Sequence, residues 1–216
     1  MDEAPRSKPR PRIESLSDLV FGLALSIGAI ALATSPPTTE TGLYRDTLTF
    51  GFTFVVLISI WIRYTRIMSA LPIETRSTMV LNAVLLFAVI LEPFLFNILR
   101  SGNSARHPSV PLFEAASSLY GVDLGGMMLI MGVFSLALAD EERRLVPEGT
   151  IRELRSEAVA WFISSGTFLA SALPIFGKIV VGSLLVTGLS VRTIMWVGAI
   201  AVSWVMKGVG IKPDHT

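Results

Sequence analysis

The sequence predicts an all-α, polytopic membrane helical bundle of six transmembrane helices per chain, and three observations carry that prediction. The 216 residues are 51% hydrophobic and only 16% charged, whereas an ordinary soluble domain carries about 25% charged residues. Mean hydropathy is +0.62, so too little polar surface exists to cover a water-facing fold. The charges also fall in clusters that leave apolar blocks between them. None occurs between Asp18 and Glu40, Asp46 and Arg63, Arg76 and Glu92, Asp123 and Asp140, Glu157 and Lys178, or Arg192 and Lys207. With their flanks, these blocks match the ~20 mainly apolar residues of a spanning helix.

Taken in order, residues 1–15 are polar and proline-rich and read as a mobile cytoplasmic tail. Helices are expected near 16–34, 47–66, 78–98, 115–139, 157–175 and 179–206, so that 16–208 form one six-helix transmembrane domain. Residues 209–216 read as a second cytoplasmic tail. Segments 35–46 and 99–111 read as outer loops, and 140–156 as a cytoplasmic connection turning at Pro147-Glu148-Gly149. Pro174 and Gly177 separate the last two helices, and Arg192 beside Gly188 and Ser190 marks the last as a broken helix or two short pieces. The opening basic cluster and Ala31-Leu32-Ala33 imitate a signal peptide. Ser17-Asp18, Gly22, Ser26 and Gly28 inside the apolar stretch favour a retained first helix.

Orientation follows from lysine and arginine. Six spans with a cytoplasmic N-terminus place only Arg45, Arg100, Arg106, Lys178 and Arg192 outside, which leaves thirteen of the 18 basic residues inside. The expected localisation is integral to the cell membrane, with both termini cytoplasmic. A net charge of +1 gives no concentrated basic face for nucleic acid. The absence of cysteine removes thiol nucleophiles and thiolate metal sites together. The two histidines, His107 and His215, fall in a loop and a tail, and no GxSxG, P-loop or TVGYG filter occurs. An enzyme is not expected.

Ionisable and polar residues within the apolar blocks are the candidate functional groups. Ser15 and Asp18 fit a capping-box-like helix start; Arg12, Ser17 and Asp18 also fit a polar network holding this helix to its neighbours. Leu23, Ile27 and Ile30 share one stripe, with Gly22, Ser26 and Ala29 on the adjacent one. Small residues allow close helix packing, and branched apolar rings can gate a pore by dewetting. Periodicity does not choose between lipid, neighbour and pore. Asn82 reads as interhelical glue. Glu92, before Pro93, and Asp123 can reach similar depth on antiparallel helices, as a proton-sharing pair, a cation vestibule or separate structural contacts. Trp61, Arg63, Tyr64 and Arg66 read as an interfacial belt.

These residues resemble the prokaryotic members of the transmembrane protein 175 family, the lysosomal potassium-channel family. The likeness rests on Arg12, a short spacer and Leu16-Ser17-Asp18 followed by an aliphatic run. It extends to Trp61-Ile62-Arg63-Tyr64-Thr65-Arg66 and to Leu81-Asn82-Ala83 through Leu91-Glu92-Pro93-Phe94. The resemblance implies a homotetramer in the lipid bilayer that conducts potassium without a carbonyl filter, through a pore lined by the first helix. It implies an aliphatic constriction at Leu23, Ile27 and Ile30, a pore-adjacent hydroxyl at Ser26, and a helix-start network at Arg12, Ser17 and Asp18. No cofactor is implied beyond the permeant potassium ion. Leu16 replaces the motif phenylalanine and Tyr64 stands where a histidine is common, so the polar network must differ here. Gly28 within the pore run is expected to loosen packing or bend the helix. A proton-coupled carrier using Glu92 and Asp123 is the competing reading, and a non-conducting partner-binding membrane protein the third.

Overall fold

The structure is a computed structural model and describes residues 12–70, 75–102, 110–140, 145–184 and 187–209. It contains α1 (Arg12–Thr34), α2 (Glu40–Met68), α3 (Arg76–Gly102), α4 (Val110–Leu138), α5 (Glu148–Ser171), α6 (Pro174–Lys178), β1 (Val180–Leu184), β2 (Thr187–Ser190) and α7 (Val191–Val209). Four of these helices, α1 to α4, are long and apolar enough to cross a membrane, and the apolar stretch of α7, Val191–Val202, is shorter.

Several helices run further than hydropathy alone places them. α2 starts at Glu40 because Thr39, in extended backbone, accepts a hydrogen bond from the Gly42 amide at 3.1 Å and closes the first turn. α5 starts at Glu148, with Pro147 as its N-cap, so the expected Pro147-Glu148-Gly149 turn is a helix entry and the charged segment after it is helical. Ser15 lies a turn inside α1, which begins at Arg12, and is therefore not at a helix cap.

The helix expected over 179–206 is the clearest correction. Pro174 opens the single turn of α6. An antiparallel hairpin then pairs Val180 with Ser190, Gly182 with Leu189 and Leu184 with Thr187, irregular between Val180 and Gly182. Gly182, Ser183, Thr187 and Gly188 are poor helix formers, and Val180, Val181 and Thr187 are β-branched. The helix resumes only at Val191.

α4 sits at the middle of the packing, against α5 and α3 foremost and also against α2 and α6. α7 packs on α5, and α1 leans on α3 and α2 at the edge of the molecule. Met127, Met131, Phe134 and Leu124 of α4 form the centre of the core with Leu85, Val89 and Phe168. Glycines of α4 make the α4–α5 approach close: a Cβ on Gly125 would stand 2.8 Å from Leu169 Cγ, and one on Gly132 2.7 Å from Phe162. Ser165 Oγ uses that proximity to donate to the Gly125 carbonyl at 2.8 Å.

Contacts fix the up-and-down order. The N-terminal end of α1 meets the C-terminal end of α2 and the start of α3, while the C-terminal end of α1 meets the start of α2 and the end of α3. The start of α7 lies at this second end, beside the start of α4 and the end of α5. The chain therefore enters α1 and leaves α7 at the same end of the bundle.

Candidate functional site

α1 divides sharply into two faces. Ser17, Phe21, Ala24 and Gly28, spaced at i, i+4, i+7 and i+11, are buried. Gly28 packs on Phe50 of α2, where a Cβ would meet the ring at 3.3 Å, so it is a contact glycine rather than a gap in the exposed run. The other face is open: Leu23 is 54% exposed, Ile27 41% and Ile30 58%, against 1% for Phe21. Gly22, Ser26 and Ala29 are exposed beside them, and Ser26 Oγ donates to the Gly22 carbonyl at 2.7 Å. The two stripes read from the sequence thus form one continuous face of small and aliphatic residues.

Polar ties hold the buried face. Tyr64 OH donates to Asn82 Oδ1 at 2.8 Å and lies 2.6 Å from Ser17 Oγ. A phenol has one proton, so Ser17 is the donor in the second bond. Three helices meet at this one hydroxyl. One turn earlier in α2, Trp61 Nε1 donates to Asp18 Oδ1 at 2.9 Å. Ser17 and Asp18 are thus brought together with Asn82, while the side chain of Arg12 lies outside the described residues. Trp61 and Tyr64 work inward, towards α1 and α3. Arg63 reaches α5 instead, with Nη1 3.0 Å from Glu157 Oε2.

At the opposite end of α1, Arg100 of α3 donates to the carbonyls of Ala31 at 2.9 Å and Ser35 at 2.8 Å, and to Asp46 Oδ2 of α2 at 3.3 Å. A buried guanidinium thereby satisfies carbonyls that the end of a helix leaves free. α1 is clamped at both ends and open along its middle.

Glu92 and Asp123 lie inside the protomer rather than at an open mouth. Tyr120 OH donates to Glu92 Oε1 at 3.2 Å and sits 2.9 Å from Thr53 Oγ1. Asp123 follows Tyr120 by three residues on the same face of α4. Both carboxylates are buried.

Sequence reasoning missed the role of Arg192. Read as a helix breaker on the outer side, it is a buried hub at the start of α7. Its Nε donates to the Ser171 carbonyl at 2.8 Å, and its Nη2 to Ser118 Oγ at 3.2 Å and the Leu173 carbonyl at 3.2 Å. Nη1 bonds Ser117 and lies 3.4 Å from Glu114 Oε2. Gly177 closes over this pair, where a Cβ would fall 2.6 Å from Glu114 Oε2. The signals available were Glu114 and Ser117-Ser118 on α4 and a lone arginine in an apolar segment 74 to 78 positions away.

Apolar helices of spanning length, tied by buried polar contacts, define a polytopic helical integral membrane protein. Residues 12–93 match the family described as endosomal/lysosomal potassium channel TMEM175. That match takes in α1, α2 and most of α3. A protein named "Potassium channel" from Marivirga tractuosa is 31% identical over 88 residues, which are 39% of this chain and 35% of that protein. The matched stretch thus spans about a third of that relative. The fold is similar to a crystal structure of a variant of the potassium channel MtTMEM175 in complex with a nanobody–MBP fusion protein. The TM-score is 0.61 at 15% identity, covering 97% of this chain and 98% of the other. At that identity the likeness concerns the fold alone.

Proposed function

We propose that the chain is one subunit of a homotetrameric, potassium-preferring cation channel. Four copies of α1 surround the axis, and Leu23, Ile27 and Ile30 form an aliphatic constriction in place of a carbonyl filter, with Ser26 as the neighbouring hydroxyl. Six spans, counting α5 and α7, would set the channel in the cell membrane with both termini cytoplasmic. The observation that carries this reading is the divided α1: one face anchored by Ser17, Phe21 and Asp18, the other left uncovered by the rest of the protomer. Apolar rings of this kind gate by dewetting. The family match over residues 12–93 includes α1, and a relative from Marivirga tractuosa is named a potassium channel.

Purified protein in proteoliposomes is expected to pass potassium, with the mass of four copies. Leu23→Ala and Ile27→Ala each widen a ring, so potassium flux rises or selectivity over sodium falls while the assembly keeps its mass. Well-folded tetramers that pass no ion at any voltage overturn the proposal.

A proton-coupled carrier using Glu92 and Asp123 is the second reading, favoured by their joint burial beside Tyr120. Its signature is saturable, proton-gradient-dependent uptake that Glu92→Gln abolishes.

A further inference from the structure

We propose that Arg100 is the positioning residue for the C-terminal end of α1: one buried guanidinium fixes the last turn of that helix, and with it the Ile30 end of the exposed face. Arg100 Nη2 donates to the Ala31 carbonyl at 2.9 Å and Nη1 to the Ser35 carbonyl at 2.8 Å. Ala31 directly follows Ile30, which is 58% exposed, whereas Arg100 is 7% exposed. The grip is therefore applied from behind the open face, through backbone atoms.

Charge placement explains why a cation stands here. α1 and α3 run in the same direction, so the carbonyl ends of both helices, each with partial negative charge, lie together. Arg100 belongs to the last turn of α3 and reaches the last turn of α1. α2 runs the opposite way and brings Asp46, from its second turn, to 3.3 Å from Nη1. Asp46 is buried as well and also binds Arg45, whose Nε and Nη2 both stand 3.0 Å from Oδ1. Loss of Arg100 thus leaves the carboxylate with a second cation.

The grip depends on the fork of the side chain. A planar guanidinium presents donors in divergent directions, and so reaches two carbonyls four residues apart together with a carboxylate oxygen; an ammonium does not. Nε is buried without a hydrogen-bond partner, so the side chain gives up one donor to aim its other two nitrogens at α1 and α2. Ser17 and Asp18 hold the other end of α1 through Tyr64 and Trp61. The two ends are set by separate side chains and can be loosened separately. The consequence for ion passage rests on the channel reading. With the Ala31 and Ser35 carbonyls committed to a buried cation, the passage beside Ile30 is bounded by aliphatic side chains, and its width follows from where Arg100 holds the helix.

The test is hydrogen–deuterium exchange of the full-length protein in lipid nanodiscs, joined to potassium and sodium flux from the same preparations in proteoliposomes. Arg100→Lys keeps the charge and loses the fork; Arg100→Met loses both. Expected in each is exchange roughly tenfold faster over 28–35, as suits the loss of two hydrogen bonds from a charged donor. Exchange over 16–24 stays unchanged, and the potassium-to-sodium flux ratio falls at unchanged oligomeric mass. Where Arg100→Met does not fold, Asp46→Asn/Arg100→Met removes the buried pair together and is expected to show the same pattern. Unchanged exchange over 28–35, or an equal rise at both ends of α1, overturns the proposal. So does unmodified behaviour of Arg100→Lys, which would make Arg100 a simple charge, and so does a flux ratio that neither variant changes in a conducting protein. If the unmodified protein passes no ion, the channel reading fails by itself, and exchange over 28–35 still decides whether Arg100 positions α1.

Discussion

Tyr64 concentrates the local logic of the protein in one hydroxyl. It accepts from Ser17 and donates to Asn82, joining α1, α2 and α3 where all three side chains are buried. Removing it as Tyr64→Phe takes away two buried hydrogen bonds and is expected to destabilise the protein by about 1–3 kcal/mol, read as a lower unfolding temperature in detergent. Tyr64→His should recover part of that loss, because a neutral imidazole donates from one nitrogen and accepts at the other. Equal unfolding temperatures for the two variants would show that the bridge, as opposed to the ring, contributes little. The partners of Tyr64 were each visible as polar residues in apolar segments, and the arrangement around one oxygen was not. Arg192 shows the same gap: its five donors reach residues 19 to 78 positions away, and no spacing rule connects them.

Among the elements, the α4–α5 contact depends on where glycine falls. Gly125 faces α5 closely, whereas a Cβ on Gly126 meets nothing within 4 Å. Gly125→Ala is therefore expected to cost about 1–3 kcal/mol through overpacking against Leu169. Gly126→Ala should be neutral or stabilise by up to about 1 kcal/mol through helix propensity. Thermal unfolding of the two variants side by side checks this, and a reversed order would mean the helices meet through another face. The pair is adjacent in sequence and equivalent in composition, so only the packing distinguishes them. Helix boundaries show the same limit. Hydropathy finds the apolar middle of α2 and α5, but Thr39 and Pro147 decide where each begins, because capping is set by local backbone geometry rather than by burial.

For the whole molecule, the uncovered face of α1 is the feature a single protomer leaves unfinished. If that face lines an axis between copies, residues on it approach their counterparts and residues on the anchored face do not. The chain contains no cysteine, so a single introduced thiol reports proximity without background. Ile27→Cys is expected to form cross-linked dimers on mild oxidation in membranes, and Ala24→Cys to remain monomeric on denaturing gels. Cross-linking of Ala24→Cys, or of neither, would place the axis elsewhere.

The sequence by itself determined that this protein lives in lipid, where its helices centre and which residues of α1 share a stripe. Sparse charge, hydropathy and a 3.6-residue period are local quantities, and each can be read without knowing any contact. The tertiary structure decided what those features meet. It turned Ser17 and Phe21 towards α2 and α3, left Leu23, Ile27 and Ile30 uncovered, and replaced one expected helix with a hairpin before α7. It also gathered Glu92, Tyr120 and Thr53 from three helices into one buried hydrogen-bonded cluster. The physical reason is common to all of these. A polar group in an apolar interior must find its partner by the shortest path through space, and that path crosses between helices far apart along the chain.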